Sequence, residues 1–224
     1  MGRFDQFSEN YKDILDQHIS VSGESSEYFT EYKACYIAKL VPTNSPGKLL
    51  DFGCGVGLLS SYLKQYMPTC TLHGYDVSSA SIERIDPDLT ARGMFTSDQS
   101  KLDNDYDAII VSNVLHHIEP KNREGTILAL RERLSSGGKL IVFEHNPANH
   151  LTRKVVDKCP FDEGVELLPL RETVAHMSKA GLGIGQSDYI VFFPHFLKLF
   201  RPLEPLISWC SLGAQYALVG EKHG

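Results

Sequence analysis

Two groups of residues in this chain combine types and spacing that suit chemistry. The first is LLDFGCGVGLLS, from Leu49 to Ser60, where Gly53, Gly55 and Gly57 stand between an apolar run and a helical pattern. The second is split: SNVLHHI places His116 and His117 after one apolar run, and FEHN places Glu144 and His145 after the next. Glycine admits positive φ and lets a ligand approach the main chain with no Cβ in the way. Histidine can take up a proton near neutrality. A backbone cradle and a set of acid–base groups are therefore both written into the chain.

The cradle discriminates among ligands. A nicotinamide-dinucleotide fingerprint, G-x-G-x-x-G, needs a third glycine where Leu58 stands. A triphosphate loop needs Gly-Lys-Ser/Thr, and no such lysine follows. Asp51, two positions before Gly53, would repel a pyrophosphate but attract an ammonium or sulfonium group. Asp76 ends the next apolar run, CTLHGYD, 23 positions after Gly53, where a carboxylate can accept both hydroxyls of a ribose. A ribose with free hydroxyls joined to a cationic amino-acid tail describes S-adenosylmethionine. A tight turn that binds nothing is the plainer alternative, and it needs fewer glycines.

The elements that must position these residues alternate. Short apolar strands, KLLDF, CTLHGYD, RGMF, YDAIIVS and GGKLIVFE, are separated by helical stretches near 56–66, 79–85 and 123–134. Uninterrupted apolar runs such as AIIV and LIVF predict strands buried on both faces, hence an α/β fold with a mostly parallel sheet covered by helices. Two helices precede the sheet. One has an apolar stripe over Phe4, Phe7, Tyr11, Ile14 and Leu15, and the other repeats Tyr28, Tyr32, Tyr36 and Leu40. Late runs DYIVFF and GAQYALVG flank a proline-punctuated stretch and predict a terminal hairpin. The aromatic residues from Tyr189 to Trp209 are read first as core, with a membrane surface or a dimer contact as alternatives.

Bulk properties narrow the partners. With 22 Lys+Arg against 28 Asp+Glu the net charge is −6, which gives no basic footprint for a phosphate backbone. Five cysteines, odd in number and never in CxxC, suggest neither a disulfide framework nor a zinc knuckle, and fit a reducing compartment. The acidic, polar N-terminus does not resemble a signal peptide and no run reaches the length of a membrane span, so a cytoplasmic location is expected.

LLDFGCGVGLLS, HGYDVS, YDAIIVSNVLHHI and LSSGGKLIVFE resemble, in order and spacing, the successive motifs of the class I S-adenosylmethionine-dependent methyltransferases. The resemblance covers about 47–144. It implies a doubly wound seven-stranded sheet with helices on both faces and an antiparallel last strand. It also implies that Gly53, Cys54, Gly55 and Gly57 cradle the methionine part of the cofactor. Asp76 would hold the ribose, Val77 would pack on the adenine, and Ser97, Asp98 and Gln99 would meet its amino edge. Ser112 and Asn113 would line the far side. The segment EHNPANHLTRKVVDKCPFDEG resembles a bacterial subgroup in which it follows the fifth strand. Residues 1–46 then read as a helical extension or lid and 47–224 as the cofactor domain, with 145–185 as a substrate-side insertion and 186–220 as the terminal hairpin.

Methyl transfer from a sulfonium is an in-line displacement in which alignment supplies most of the acceleration. A hydroxyl acceptor must also lose a proton, whereas a carboxylate or phenolate need not. His117 is the first candidate base and His116 the alternate, with Glu144 and His145 beside them; a helix start with satisfied rings is the plainer reading. Tyr11, Asn146, Asn149 and Arg153 are candidates for substrate contact. No spaced second ligand group suggests a metal. The family's base-amino methylating members carry Asn/Asp-Pro-Pro-Tyr/Phe where this chain reads SNVLHH, so the expected acceptor is a small or lipid-linked molecule, at oxygen or carbon. A nicotinamide oxidoreductase and a binding protein without turnover are the competing expectations.

Overall fold

The computed structural model describes residue 5 and residues 10–41 and 47–223, without the side chains of residues 11 and 21. Seven strands, β1 (Lys48–Phe52), β2 (Thr71–Tyr75), β3 (Phe95–Thr96), β4 (Tyr106–Ser112), β5 (Leu134–His145), β6 (Leu182–Ile190) and β7 (Gln215–Lys222), make one sheet ordered β3-β2-β1-β4-β5-β7-β6. β1 to β5 pair in parallel, and β7 inserts antiparallel to both β5 and β6. The chain order reverses between β1 and β4. Their carboxyl ends splay there into the crevice where doubly wound sheets bind ligands.

Helices α1 (Tyr11–Ile19), α2 (Ser26–Leu40), α3 (Leu58–Tyr66), α4 (Ser79–Ile82), α5 (Pro87–Thr90), α6 (Pro120–Arg133), α7 (His150–Val156) and α8 (Leu170–Lys179) complete the chain. The apolar runs explain the layering. Ala108 to Val111 and Leu140 to Phe143 are fully buried and send alternate side chains to two core clusters. Ile127 and Leu130 of α6 and Met177 of α8 join Leu50, Ile109 and Val142 on one face. Ala34 and Ile37 of α2 join Leu59 and Leu63 of α3 against Leu49, Ile110 and Phe143 on the other. Among the described residues no helix is long and apolar enough to cross a membrane.

Three expectations shift. The strand expected over RGMF shrinks to Phe95–Thr96, preceded by Gly93, which packs so close to β2 that a Cβ there would stand 1.9 Å from the Leu72 carbonyl oxygen. The buried face of α2 is Ser26, Lys33, Ala34 and Ile37; the tyrosine stripe lies beside it, with Tyr36 donating to Asp188 Oδ2 at 2.6 Å. The late aromatic segment is not core. β6 ends at Ile190, Val191 takes φ 60°, and a run of 3-10 turns over His195–Leu206 leaves Phe196 81%, Leu199 87% and Trp209 79% exposed. Prolines 202 and 205 prevent a regular helix from forming a packing stripe. The inner side of the segment is pinned instead: buried Glu204 accepts the Phe192 and Phe193 N–H groups, and Arg201 pairs with Glu24.

Arg123, fully buried in α6, ties the chain that follows β4 to the segment before α8. Its Nε donates to the Ile118 carbonyl at 3.0 Å, Nη2 to the Glu166 carbonyl at 2.8 Å and Nη1 to Glu172 at 3.1 Å. Arg123→Ala removes these three charge-assisted hydrogen bonds and leaves the space of a buried side chain unfilled, which costs about 3 kcal/mol. Urea unfolding should show a lower midpoint with an unchanged slope.

Candidate active site

β1 delivers Asp51 to the crevice and the chain then turns through Gly53, Gly55 and Gly57, with φ of 83°, 53° and 81°. The Gly53 and Cys54 N–H groups donate to the Tyr75 carbonyl at 2.7 and 3.0 Å, which locks the turn to β2. A Cβ on Gly53 would lie 2.2 Å from Val114 Cγ2, so bare backbone is required even before a ligand enters. Gly57 caps α3 and faces Ile85 instead of the crevice. Its role is the turn.

A cavity of about 520 Å³ opens at this edge. Asp51, Gly53, Cys54, Gly55, Asp76, Val77, Gln99, Ser112 and Asn113 form one part of its wall; His116, His117, His145 and Asp162 form another. Asp76 is held by the Gly55 N–H on Oδ2 at 2.8 Å and the Ser78 N–H on Oδ1 at 2.9 Å, leaving further lone pairs for a ligand. Ser97 and Asp98 stay off the wall: both are exposed, and the Asp98 carboxylate caps the following turn through Ser100 N and Oγ. Of that expected trio only Gln99 reaches the cavity.

The donor end carries an excess of negative charge. Burial, with Asp76 nearby, pushes the Asp51 carboxyl up to about 6 although Ser60 Oγ donates to it at 2.7 Å. Lys33, which the sequence reading did not single out, reaches the same place from α2 and donates to Ser112 Oγ at 2.9 Å. Burial drops its ammonium to about 8 while Glu144 and Asp51 oppose that fall. Two carboxylates therefore face one ammonium. Ser26, Asn113 and Gln215 also line the cavity, and their buried Oγ, Oδ1 and Oε1 atoms have no hydrogen-bond partner among the described residues. A zwitterionic, cationic ligand such as S-adenosylmethionine fits this set of donors and acceptors.

At the other end Glu144 is fully buried and does not reach the cavity. Its Oε1 accepts the Leu115 N–H at 2.7 Å and its Oε2 meets His116 Nδ1 at 2.5 Å, which makes it a positioning residue. His116 Nε2 lies 3.3 Å from Asp162 Oδ1, and His117 Nε2 lies 3.3 Å from the same oxygen. Burial opposes a charge on His116, but Glu144 and Asp162 outweigh it and push the imidazole up to about 9. A ring already protonated at neutrality is a poor acceptor, so His116 does not fit the role of alternate base. Burial and the His116 charge drop His145 to about 4.

The expected substrate contacts change most. Asn146 is buried, donates to the Ser211 and Gly213 carbonyls and accepts the Ala148 N–H, so it is a structural clip. Asn149 caps α7 through Leu151 N and Thr152 N, donates to the Leu212 carbonyl at 2.7 Å, and lines a smaller apolar cavity beside the first. Arg153 is exposed beside His150, away from the cavity. The Tyr11 side chain lies outside the described residues. A second, apolar cavity of about 120 Å³, walled by Tyr28, Val191, Phe192, Phe193 and Pro194, shares Ile19, Phe29, His145 and Gln215 with the first. Lys33, Asp162 and Gln215 are the site residues that sequence reasoning missed. Only the 26-29-30-33 spacing within α2 carried a signal, and tyrosines on the adjoining stripe masked it.

Residues 27–185 match a family model described as a methyltransferase domain. The ribosomal RNA small subunit methyltransferase C of Haemophilus ducreyi is 31% identical over 102 residues, covering 42% of this chain and 31% of the relative. The chain spans about a quarter to a third of the length of the first curated relatives it matches. Two solved structures share the fold. A TehB-like S-adenosylmethionine-dependent methyltransferase from Corynebacterium glutamicum matches with TM-score 0.65 and 17% identity, over 98% of this chain and 99% of that one. The N-methyltransferase NodS of Bradyrhizobium japonicum, in complex with S-adenosyl-L-homocysteine, matches with TM-score 0.59 and 14% identity, over 85% and 86%.

Asp51 sets a pH dependence. The ionised carboxylate attracts the cationic donor, and with its pKa at about 6 the ionised fraction falls roughly tenfold between pH 7.5 and pH 5. Calorimetric titration should show S-adenosylmethionine affinity falling about tenfold over that interval, with Asp51→Asn weaker at pH 7.5 and flat through the same step.

Proposed function

The chain belongs to the methyltransferase-domain family, and from that premise we propose that it transfers a methyl group from S-adenosylmethionine to a small or lipid-linked molecule at oxygen or carbon. One observation carries the reading: a single cavity joins the glycine turn, Asp51 and Asp76 to His117 and His145, and an apolar chamber lies against it across the shared wall of Ile19, Phe29, His145 and Gln215. The bound donor supplies an electrophilic methyl group on a cationic sulfur. Gly53, Cys54 and Gly55 lie against its amino-acid part, with Asp51 and Asn113 Oδ1 receiving the ammonium. Asp76 holds the ribose hydroxyls and Val77 covers the adenine. Gly57, Ser97 and Asp98 shape the surrounding turns. An amphiphilic acceptor places its apolar arm between Phe192, Phe193 and Pro194 and its nucleophile beside His117.

The net charge of −6 and the sequence Ser112-Asn113-Val114-Leu115 after β4 favour this acceptor class over a nucleic-acid base. The curated relatives named as ribosomal RNA methyltransferases define the competing outcome. Incubation of the enzyme and labelled donor with lipid extract, small-metabolite extract and ribosomal RNA, read by mass spectrometry as the gain of one methyl group, tests it. Label in an extracted metabolite or lipid is expected, and label confined to RNA would replace the reading. His117→Ala should lower turnover by about 100-fold, with donor affinity within about threefold.

The exposed side of 195–212 extends the reading to a membrane surface. Phe196, Leu199, Leu206, Trp209 and Leu212 project outward from a segment clamped on its inner side, and such a patch on a chain of this size marks an interaction face. Trp209 is the chain's one tryptophan. Its emission should shift to the blue on mixing with phospholipid vesicles, and the shift should shrink in Leu199→Ser.

A further inference from the structure

His116 Nε2, His117 Nε2 and Asp162 Oδ1 all lie within 4.8 Å of one another on the cavity wall. We infer that they form a three-ligand site for a divalent first-row transition metal ion, with its open positions toward the reacting methyl. This inference rests on the methyltransferase reading and adds a ligand class to the same site.

Two of the three separations fit coordination of one ion. A charge-assisted N–H···O bond settles at about 2.7–2.9 Å, yet both rings stand 3.3 Å from the same Asp162 oxygen. Ligand atoms about 2.0–2.1 Å from one ion at tetrahedral angles lie about 3.3–3.4 Å apart, which matches both separations. Glu144 supplies what such a site needs behind it. Its carboxylate accepts a hydrogen bond from the His116 Nδ1–H while the Leu115 N–H holds its other oxygen, so Nε2, which faces Asp162, is the nitrogen free to bind an ion that displaces its proton. A buried carboxylate on the far nitrogen of a histidine is the usual support for a metal ligand. The ligands also sit on rigid supports: the turn Leu115–His117 directly after β4, and the turn Pro160–Asp162.

Two imidazoles and one carboxylate suit zinc or a neighbouring transition ion better than magnesium or calcium, which prefer all-oxygen sites. An ion here would meet an acceptor through a hydroxyl oxygen and ease its ionisation. The balance is simple. The hydroxyl proton leaves to solvent, the oxygen lone pair forms the new bond to carbon, and the pair of the broken carbon–sulfur bond stays on sulfur as a neutral thioether.

The test uses untagged protein freed of metal with a chelator, then titrated with Zn²⁺, and with Co²⁺ read by visible d–d absorption. One ion per chain is expected. Affinity should fall about 100-fold in His117→Ala and in Asp162→Ala, and about 10–100-fold in Glu144→Gln. His117→Gln, a milder change, serves if His117→Ala melts below the assay temperature. Uptake far below one equivalent, or affinity unchanged in both the His117 and the Asp162 variants, would overturn the site. Calorimetry with S-adenosylhomocysteine on the same metal-free sample separates the two layers. Nucleoside binding without metal uptake removes the metal site alone, while absent nucleoside binding removes the methyltransferase reading beneath it.

Discussion

A carboxylate with no exposure at all organises the reacting end of this molecule. Glu144 sits at the end of β5, flanked by β4, whose following turn carries His116 and His117, and by the antiparallel strand that carries Gln215. Burying a lone carboxylate costs several kcal/mol, and removing one partner of a buried pair costs about 3–5 kcal/mol. The Leu115 N–H and the His116 ring offset that cost. Because those partners belong to the turn after β4, satisfying Glu144 forces the turn to fold back over the strand ends. His116 and His117 are thereby presented to Asp162 from the opposite side. The burial of Glu144 and the arrangement of the cavity wall are one constraint.

The cavity is divided electrically. Asp51 and Asp76 outnumber Lys33 at one end, and the low dielectric around them keeps that imbalance strong. At the other end the charged His116 ring sits between Glu144 and Asp162 and holds both carboxyls below their ordinary range. A cationic donor is drawn to the first region and a neutral or oxygen-bearing acceptor meets the second. The two ends share walls, so the separation of charge also fixes the direction of approach. Alignment of this kind provides most of what a displacement at a sulfonium methyl needs.

The segment after β6 shows how an apolar surface is kept outside. Left free, Phe196, Leu199 and Trp209 would collapse onto the nearest apolar face. Glu204 bonding to two backbone N–H groups, and Arg201 paired with Glu24 and lying 4.1 Å from the centre of the Tyr28 ring, hold the inner side fast. The prolines deny the segment a helix that could roll over. The same clamp lines the apolar chamber through Phe192 and Phe193, so the outer patch and the inner chamber are two sides of one structure.

What the sequence determined by itself was whatever depends on near neighbours in the chain. Glycines at 53, 55 and 57 demand positive φ whatever surrounds them, and uninterrupted apolar runs demand burial on both faces. The glycine turn, the parallel strands and the position of Asp76 at the end of β2 were therefore legible. The pairing of Asn146 with Ser211 and Gly213, of His116 with Asp162 and of Lys33 with Ser112 spans 46 to 79 residues of chain, and nothing local marks it. For that reason Asn146, expected as a substrate contact, is a structural clip, and Asp162, which the sequence did not single out, lies on the cavity wall. Whether an aromatic run lies inside or outside depends on which distant groups pin its other face, and only the folded chain decides that.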